Sequence, residues 1–168
     1  MKRVSFYLVI FLLGLLLISC GQKEKEVTVE VGSTEATLTI PGGWAERDTM
    51  GTEGVLLYYR KDRSSVMLRK EPYSDAEADL ETVAQDHISD NYNTVQFIED
   101  VEDATVGGKD AKKFVFNCKV GTFQMTYQYL VFKLDGDVYA LTYSSLKDAY
   151  KEHLPEFEAI LASLQFAQ

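Results

Sequence analysis

The sequence predicts an α+β fold, a mainly antiparallel β-sheet flanked by helices. Three observations carry this. Apolar residues alternate with period two through most of the chain, two stretches instead repeat at helical spacing, and Gly- or Asp-bearing turns join consecutive strand-like runs. Val27–Val31 and Ala36–Ile40 alternate around Gly32-Ser33-Thr34, and Pro41-Gly42-Gly43-Trp44 ends the second run. Val55–Arg60 and Ser65–Lys70 flank the charged turn Lys61-Asp62-Arg63-Ser64. Leu80, Val83, Ala84, His87 and Ile88 then share one helical face. Asp75, Glu77, Asp79 and Glu81 crowd its start, where the helix dipole favours acids. Val95–Val106 reads as one strand with an acidic middle, Glu99–Asp103. Gly107-Gly108 turns into a strand over Ala111–Lys119. Phe123–Leu134 is the longest run, and Asp135-Gly136 signals a hairpin into Val138–Ser144. Pro155 suits the first turn of a closing helix lined by Phe157, Ile160, Leu161 and Leu164, with Phe166 in a short last strand. About eight strands and two or three helices are expected.

Ahead of these elements lies a segment of different character. Lys2 and Arg3 precede an apolar run, Val4–Ile18, interrupted only by Ser5 and Gly14. As a helix it spans about 22 Å, short of the ~30 Å hydrocarbon core, which fits a signal peptide better than a membrane span. It ends in Leu17-Ile18-Ser19-Cys20-Gly21, which resembles the lipobox of bacterial lipoproteins. That resemblance implies cleavage between Ser19 and Cys20 and acylation of the Cys20 sulfur, with palmitate labelling as its signature. The expected organisation is a signal peptide over 1–19, a lipidated Cys20 with a polar tether over 20–26, and one domain over 27–168. The protein then sits on the extracytoplasmic face of a bacterial cell membrane, held by lipid.

The chain of 168 residues has a net charge of −9, and residues 1–19 hold two cations and no acid, so the remainder carries −11. Such a domain is repelled by phosphate backbones and anionic headgroups, so no nucleic-acid partner is expected, and membrane attachment falls to the acyl chains.

Catalytic signatures are sparse. The sequence has no Gly-x-Ser-x-Gly, no phosphate-binding Gly-rich loop and no dinucleotide fingerprint. Cys118 shares a strand face with Phe114 and Phe116, as a core cysteine does, and a lipidated Cys20 is no disulfide partner for it. His87 falls on the apolar helical stripe and reads as a packed, hydrogen-bonded residue, whereas His153 reads as a surface or loop residue. No Cys/His pair has zinc-ligand spacing. Asp135-Gly136-Asp137 lacks the alternating acids and distal Glu of a calcium loop, and a hairpin turn explains it. The Glu99–Asp103 cluster reads as a solvated edge that discourages edge-to-edge pairing. No metal and no cofactor are expected, and the chain is read as a non-enzyme, with an unrecognised hydrolase as the remote alternative.

The aromatic rows are the remaining candidate site. Met125, Tyr127, Tyr129 and Val131 share one strand face, and Tyr139, Leu141 and Tyr143 share a face of the next. Tyr127, Tyr129, Tyr139 and Tyr143 together form a candidate face for a peptide or small ligand. Packing between layers accounts for the same rows.

Ala36-Thr37-Leu38-Thr39-Ile40-Pro41-Gly42-Gly43-Trp44, the Val106–Ala111 turn, the Asp135-Gly136 hairpin and the closing Leu154–Phe166 segment resemble PsbP-like lipoproteins. The resemblance implies an α/β/α sandwich around an antiparallel sheet over about residues 27–168 and carries over no metal ligand or photosynthetic role. From the anchor, the short tether and the lack of a nucleophile-base set, the expected function is that of a membrane-anchored, extracytoplasmic, non-catalytic protein-binding or envelope accessory module. The alternative is a small-molecule or metal-binding lipoprotein using the aromatic face.

Overall fold

The structure is a computed structural model that describes residues 23–49, 51–73 and 79–167. The expected signal peptide, with Ser19 and Cys20, lies outside the described residues, as do Asp75 and Glu77.

Two antiparallel sheets and two helices build the described domain. The first sheet holds β1 (Lys25–Val31), β2 (Thr34–Ile40) and β11 (Gln165–Phe166), in the order β1-β2-β11. The second holds β3 (Ala45–Glu46), β4 (Val55–Lys61), β5 (Ser64–Lys70), β6 (Asn93–Phe97), β7 (Glu102–Val106), β8 (Lys109–Val120), β9 (Phe123–Leu134) and β10 (Asp137–Leu146). Its order is β3-β4-β5-β10-β9-β8-β6, with β7 also on β8. Helix α1 (Leu80–Asn91) covers one face of this large sheet. The small sheet and helix α2 (Leu154–Ser163) cover the other.

Local chemistry explains the boundaries. The Asp79 carboxylate accepts the Thr82 amide at 3.2 Å, satisfying one of the orphan donors at the α1 N-terminus. Pro155 lies in the first turn of α2, where its missing N–H costs nothing. Asp135 and Gly136 both take positive φ (55° and 85°), as a two-residue hairpin turn requires. Two apolar layers follow. Leu38, Ile40, Trp44, Leu130, Phe132, Tyr139, Tyr143 and Phe157 fill the space between the sheets and α2. Ala84 and Ile88 of α1 pack on Phe114, Phe116, Cys118, Tyr129 and Val131. The Cys118 thiol is buried, and burial pushes it up to about 11.

The α+β expectation is met, with differences of layout. Val27–Val31 and Ala36–Ile40 do not join the main sheet. Their strands form a second sheet, closed by β11 and tied to α2 where the Ser163 hydroxyl accepts the Thr39 amide at 2.9 Å. The expected Val95–Val106 strand is two, β6 and β7. Both pair with β8, but four residues, 98–101, span the gap between Phe97↔Phe116 and Glu102↔Lys113, where β8 has only two. The surplus bulges outward with Glu99 and Asp100 exposed, which interrupts a long sheet edge. β1 also begins at Lys25, two residues ahead of the expected domain start at 27, and the Lys25 ammonium meets Glu46 at 3.0 Å.

Candidate functional site

A trough on the α1 side of the large sheet follows from the side chains of β10. Val138, Ala140, Thr142 and Ser144 point to this face, and Tyr139, Leu141 and Tyr143 to the other. Small residues on a central strand leave a channel between larger neighbours. Thr142 lies opposite Met67 of β5 and Tyr129 of β9, and Ser144 opposite Ser65 and Tyr127. Helix α1 packs over the β8–β9 half of this face. Tyr58 of β4 and Met67 of β5, beyond it, remain half-buried. The result is a cavity of about 340 Å³ lined by Tyr58, Met67, Tyr92, Met125, Tyr127, Thr142 and Ser144, with Arg60 and Arg63 also in its wall.

The floor is uncharged and hydrogen-bonding, and Arg60 and Arg63 are the charged groups of the wall. The Ser65 and Ser144 hydroxyls bond each other at 2.8 Å. Burial pushes the Tyr127 phenol up to about 12 and Tyr92 up as well, so neither loses its proton near neutrality. The Thr142 hydroxyl is buried without a hydrogen-bond partner, a costly state that a bound polar group would relieve. Aromatic rings, thioethers and hydroxyls of this kind suit binding, not proton transfer.

A second polar cluster lies at the far end of β5. The Glu71 carboxylate is buried, 3.3 Å from the Arg69 Nε and 3.3 Å from the His87 Nε2. The Tyr73 ring packs on His87 at 4.8 Å between centroids. The Asn91 amide nitrogen lies 3.1 Å from His87 Nδ1; being a donor, it leaves the ring proton on Nε2, facing Glu71. Burial pushes Glu71 up against the opposing pull of Arg69. Burial also pushes His87 down, reinforced by Arg69 and opposed by Asp90.

These shifts act oppositely on stability. A lowered histidine means that the unfolded chain binds the extra proton first, so the His87 contribution is lost as pH falls from about 6.5. A raised Glu71 is relieved by acid and gains stability in the same direction. Comparing wild type with His87→Gln isolates the first effect, since Glu71 is common to both. The urea midpoint of wild type is expected to fall more than that of the variant between pH 7.5 and about 6. A steeper fall in the variant would mean that His87 is held charged against Glu71.

The four candidate tyrosines do not form one face. Tyr127 and Tyr129 point to the α1 side, and Tyr139 and Tyr143 to the small-sheet side. Tyr129, Tyr139 and Tyr143 are at most 1% exposed, so Tyr127 alone contributes to the trough. The cause is register: Leu134 pairs with Asp137 across the two-residue turn, so odd residues of β9 lie opposite even residues of β10. The Asp135-Gly136 pair carries that information in the sequence, since a two-residue loop fixes the phase of both rows. Tyr58, Met67 and Thr142 carry no comparable signal.

His153 lies in the turn before α2, within the surface-or-loop expectation, and its ring is mostly covered. Its side chain lies between Asp62 (3.1 Å) and Glu156 (3.3 Å), edge-on to Trp44. Asp135 accepts from the Ser33 amide and hydroxyl, and Asp137 pairs with Lys70 at 2.6 Å. The acidic edge is cross-linked to β8, with Glu102 on Lys113 at 2.7 Å and Asp103 on Lys112 at 2.8 Å. Among the described residues no group of three or more His, Cys, Asp or Glu side chains is placed to hold a metal.

No known protein family and no curated protein matches the sequence. Solved structures do match. LpqN of Mycobacterium tuberculosis, described as involved in cell envelope biogenesis, has 18% identity and a TM-score of 0.58, covering 88% of this chain and 93% of that one. PsbP (CyanoP) of Synechocystis has 16% identity and a TM-score of 0.56, covering 90% and 99%. The protein PA94 of Pseudomonas aeruginosa has 12% identity and a TM-score of 0.52, covering 79% and 91%. Two antiparallel layers closed by α1 and α2, together with these matches, give this chain the PsbP-like fold.

Proposed function

We propose that the protein is a lipid-anchored, extracytoplasmic accessory protein of the bacterial cell envelope, which binds a partner or ligand in the α1-side trough without catalysis. The carrying observation is the trough itself, a half-uncovered sheet face whose floor presents the buried, unpartnered Thr142 hydroxyl. The non-catalytic reading is supported by what the reactive groups touch. The one described cysteine is buried among Phe114, Phe116 and Tyr129, and burial raises its thiol, so it stays protonated near neutrality. The envelope assignment draws on the lipobox-like Leu17–Gly21 segment and on the role described for the mycobacterial structure.

Two experiments test the two halves. Cys20→Ala is expected to abolish palmitate incorporation, and label retained at wild-type level would remove the lipid anchor. A photo-crosslinking residue at Tyr58, in the trough wall, is expected to capture a recurrent adduct in cells that the same residue at exposed Glu30 does not. Identical capture at both positions would mean that the trough is not the binding surface.

A further inference from the structure

We propose that the end of the domain from which the tether emerges is a membrane-contact surface, with Val120 and Phe123 of the β8–β9 hairpin entering the headgroup–acyl boundary beside Lys119 and Lys147. This rests on the lipid-anchor reading above.

The registers place these groups at one end. A single row runs Tyr59↔Val66↔Tyr143↔Gln128 across β4, β5, β10 and β9. The Tyr59 hydroxyl lies 3.4 Å from the Lys25 ammonium, so β1 starts beside this row. β1 then runs toward the Asp135 turn at the opposite end, where the Ser33 amide donates to Asp135. The chain before Lys25 therefore leads away from the sheet on the Tyr59 side. Along β9, Phe123 lies five residues beyond Gln128 toward that same end, about 16 Å. From Lys25 back to Cys20 is also five residues, with a similar extended reach of about 16 Å. An extended tether of that length is long enough to bring an acyl chain on Cys20 level with the hairpin tip.

The chemistry of that end suits a bilayer. Phe123 is 59% exposed and Val120 48%, facing each other across the Gly121-Thr122 turn. Half-buried Leu146 extends the apolar patch, and Phe123 and Leu146 line one shallow hollow. Isolated exposed apolar residues are ordinary, but these are neighbours on a projecting tip flanked by cations. Lys119, Lys147, Arg60 and Arg63 are all exposed at this end of an otherwise acidic domain. The acids there include Asp62 and Asp148, which meet His153 and Arg63, and exposed Asp90. Apolar tip, local cations and a short tether at the same end are the ingredients of interfacial binding. Net repulsion from the remaining acids would hold the rest of the domain outward, so the protein stands on this end.

The test uses the lipidated full chain in vesicles of phosphatidylcholine and phosphatidylglycerol. An environment-sensitive fluorophore is placed at Thr122→Cys in the tip, or at exposed Asp110→Cys at the opposite end. Buried Cys118 does not compete for the label. Lipids carrying a quencher at shallow acyl depth are expected to reduce emission at position 122 about twofold or more and to leave position 110 unchanged. Phe123→Ser in the Thr122→Cys background is expected to abolish most of that quenching without moving the thermal midpoint, since the ring is mostly exposed. Vesicle-bound protein with water-like emission at 122 would overturn the proposal and leave the anchor intact. Shielding of 122 in lipid-free protein would overturn it in favour of a second copy on the tip. Failure of the unlabelled chain to float with vesicles would overturn the anchor, and this proposal with it.

Discussion

Trp44→Ala is expected to cost about 3–5 kcal/mol, a large part of the stability of a domain this size. Trp44 follows the Pro41-Gly42-Gly43 turn and is buried in the core between the two sheets. Its indole N–H donates to the Glu156 carboxylate at 2.6 Å. The same carboxylate accepts the Lys61 ammonium at 2.7 and 2.9 Å and faces His153. One side chain thus ties the end of β2 to the first turn of α2 and to the β4–β5 turn. Burial alone would raise Glu156, but hydrogen bonds from Lys61, Trp44 and His153 hold it below the usual carboxylate range. A lowered carboxylate contributes stability that is present above the unfolded value of about 4.5 and lost as pH falls through the folded value. Trp44→Phe, which keeps most of the ring packing and removes the donor, is therefore expected to cost only about 1–2 kcal/mol at pH 7. That deficit should shrink toward pH 3.5, below the unfolded value of about 4.5, as protonation begins to compete for Glu156. Urea denaturation at both pH values measures it. A deficit independent of pH would show that the indole N–H does not act through the ionised Glu156.

How far the sequence carries is visible in particular elements. β9 runs from Phe123 to Leu134, the limits its alternation predicts, because Gly121-Thr122 and Asp135-Gly136 bound it on both sides. Period two reports which residues of one strand share a face; it is silent on which strand lies next door. The Leu38 and Ile40 pattern is equally compatible with the main sheet or a second one, and only packing on α2 decides. The same silence split the candidate tyrosines between two faces, although the two-residue turn would have fixed their relative phase. The trough lay further out of reach. It is made by the absence of bulk at Ala140, Thr142 and Ser144, and a small residue in a strand announces nothing until its neighbours on β5 and β9 are known. Glu71 was equally silent, since a lone acid after a strand reads as solvated, yet α1 lays His87 against it and completes its burial.

Gly107→Ala is the second large effect, and its neighbour provides the control. Both Gly107 and Gly108, in the β7–β8 turn, adopt positive φ (56° and 80°), so alanine at either position meets the same left-handed backbone penalty of about 1 kcal/mol. Their surroundings differ. A Cβ at Gly108 would meet nothing within 4 Å. A Cβ at Gly107 would fall 2.6 Å from a Leu164 methyl and 2.7 Å from the Phe166 ring. Leu164 is buried in the main core, and half-buried Phe166 packs on Phe132 at 5.8 Å between centroids, so the methyl has no open space and the ring swings away only by giving up that contact. The turn must move, or β11 must lift from β2. Gly107→Ala is accordingly expected to lose about 3 kcal/mol and Gly108→Ala about 1 kcal/mol. Equal losses in urea would mean that the C-terminal strand yields freely, and that the close approach of turn to core contributes nothing. A loss at Gly107 that is relieved by adding Phe166→Ala would locate the strain in that ring, because two substitutions sharing one contact depart from additivity.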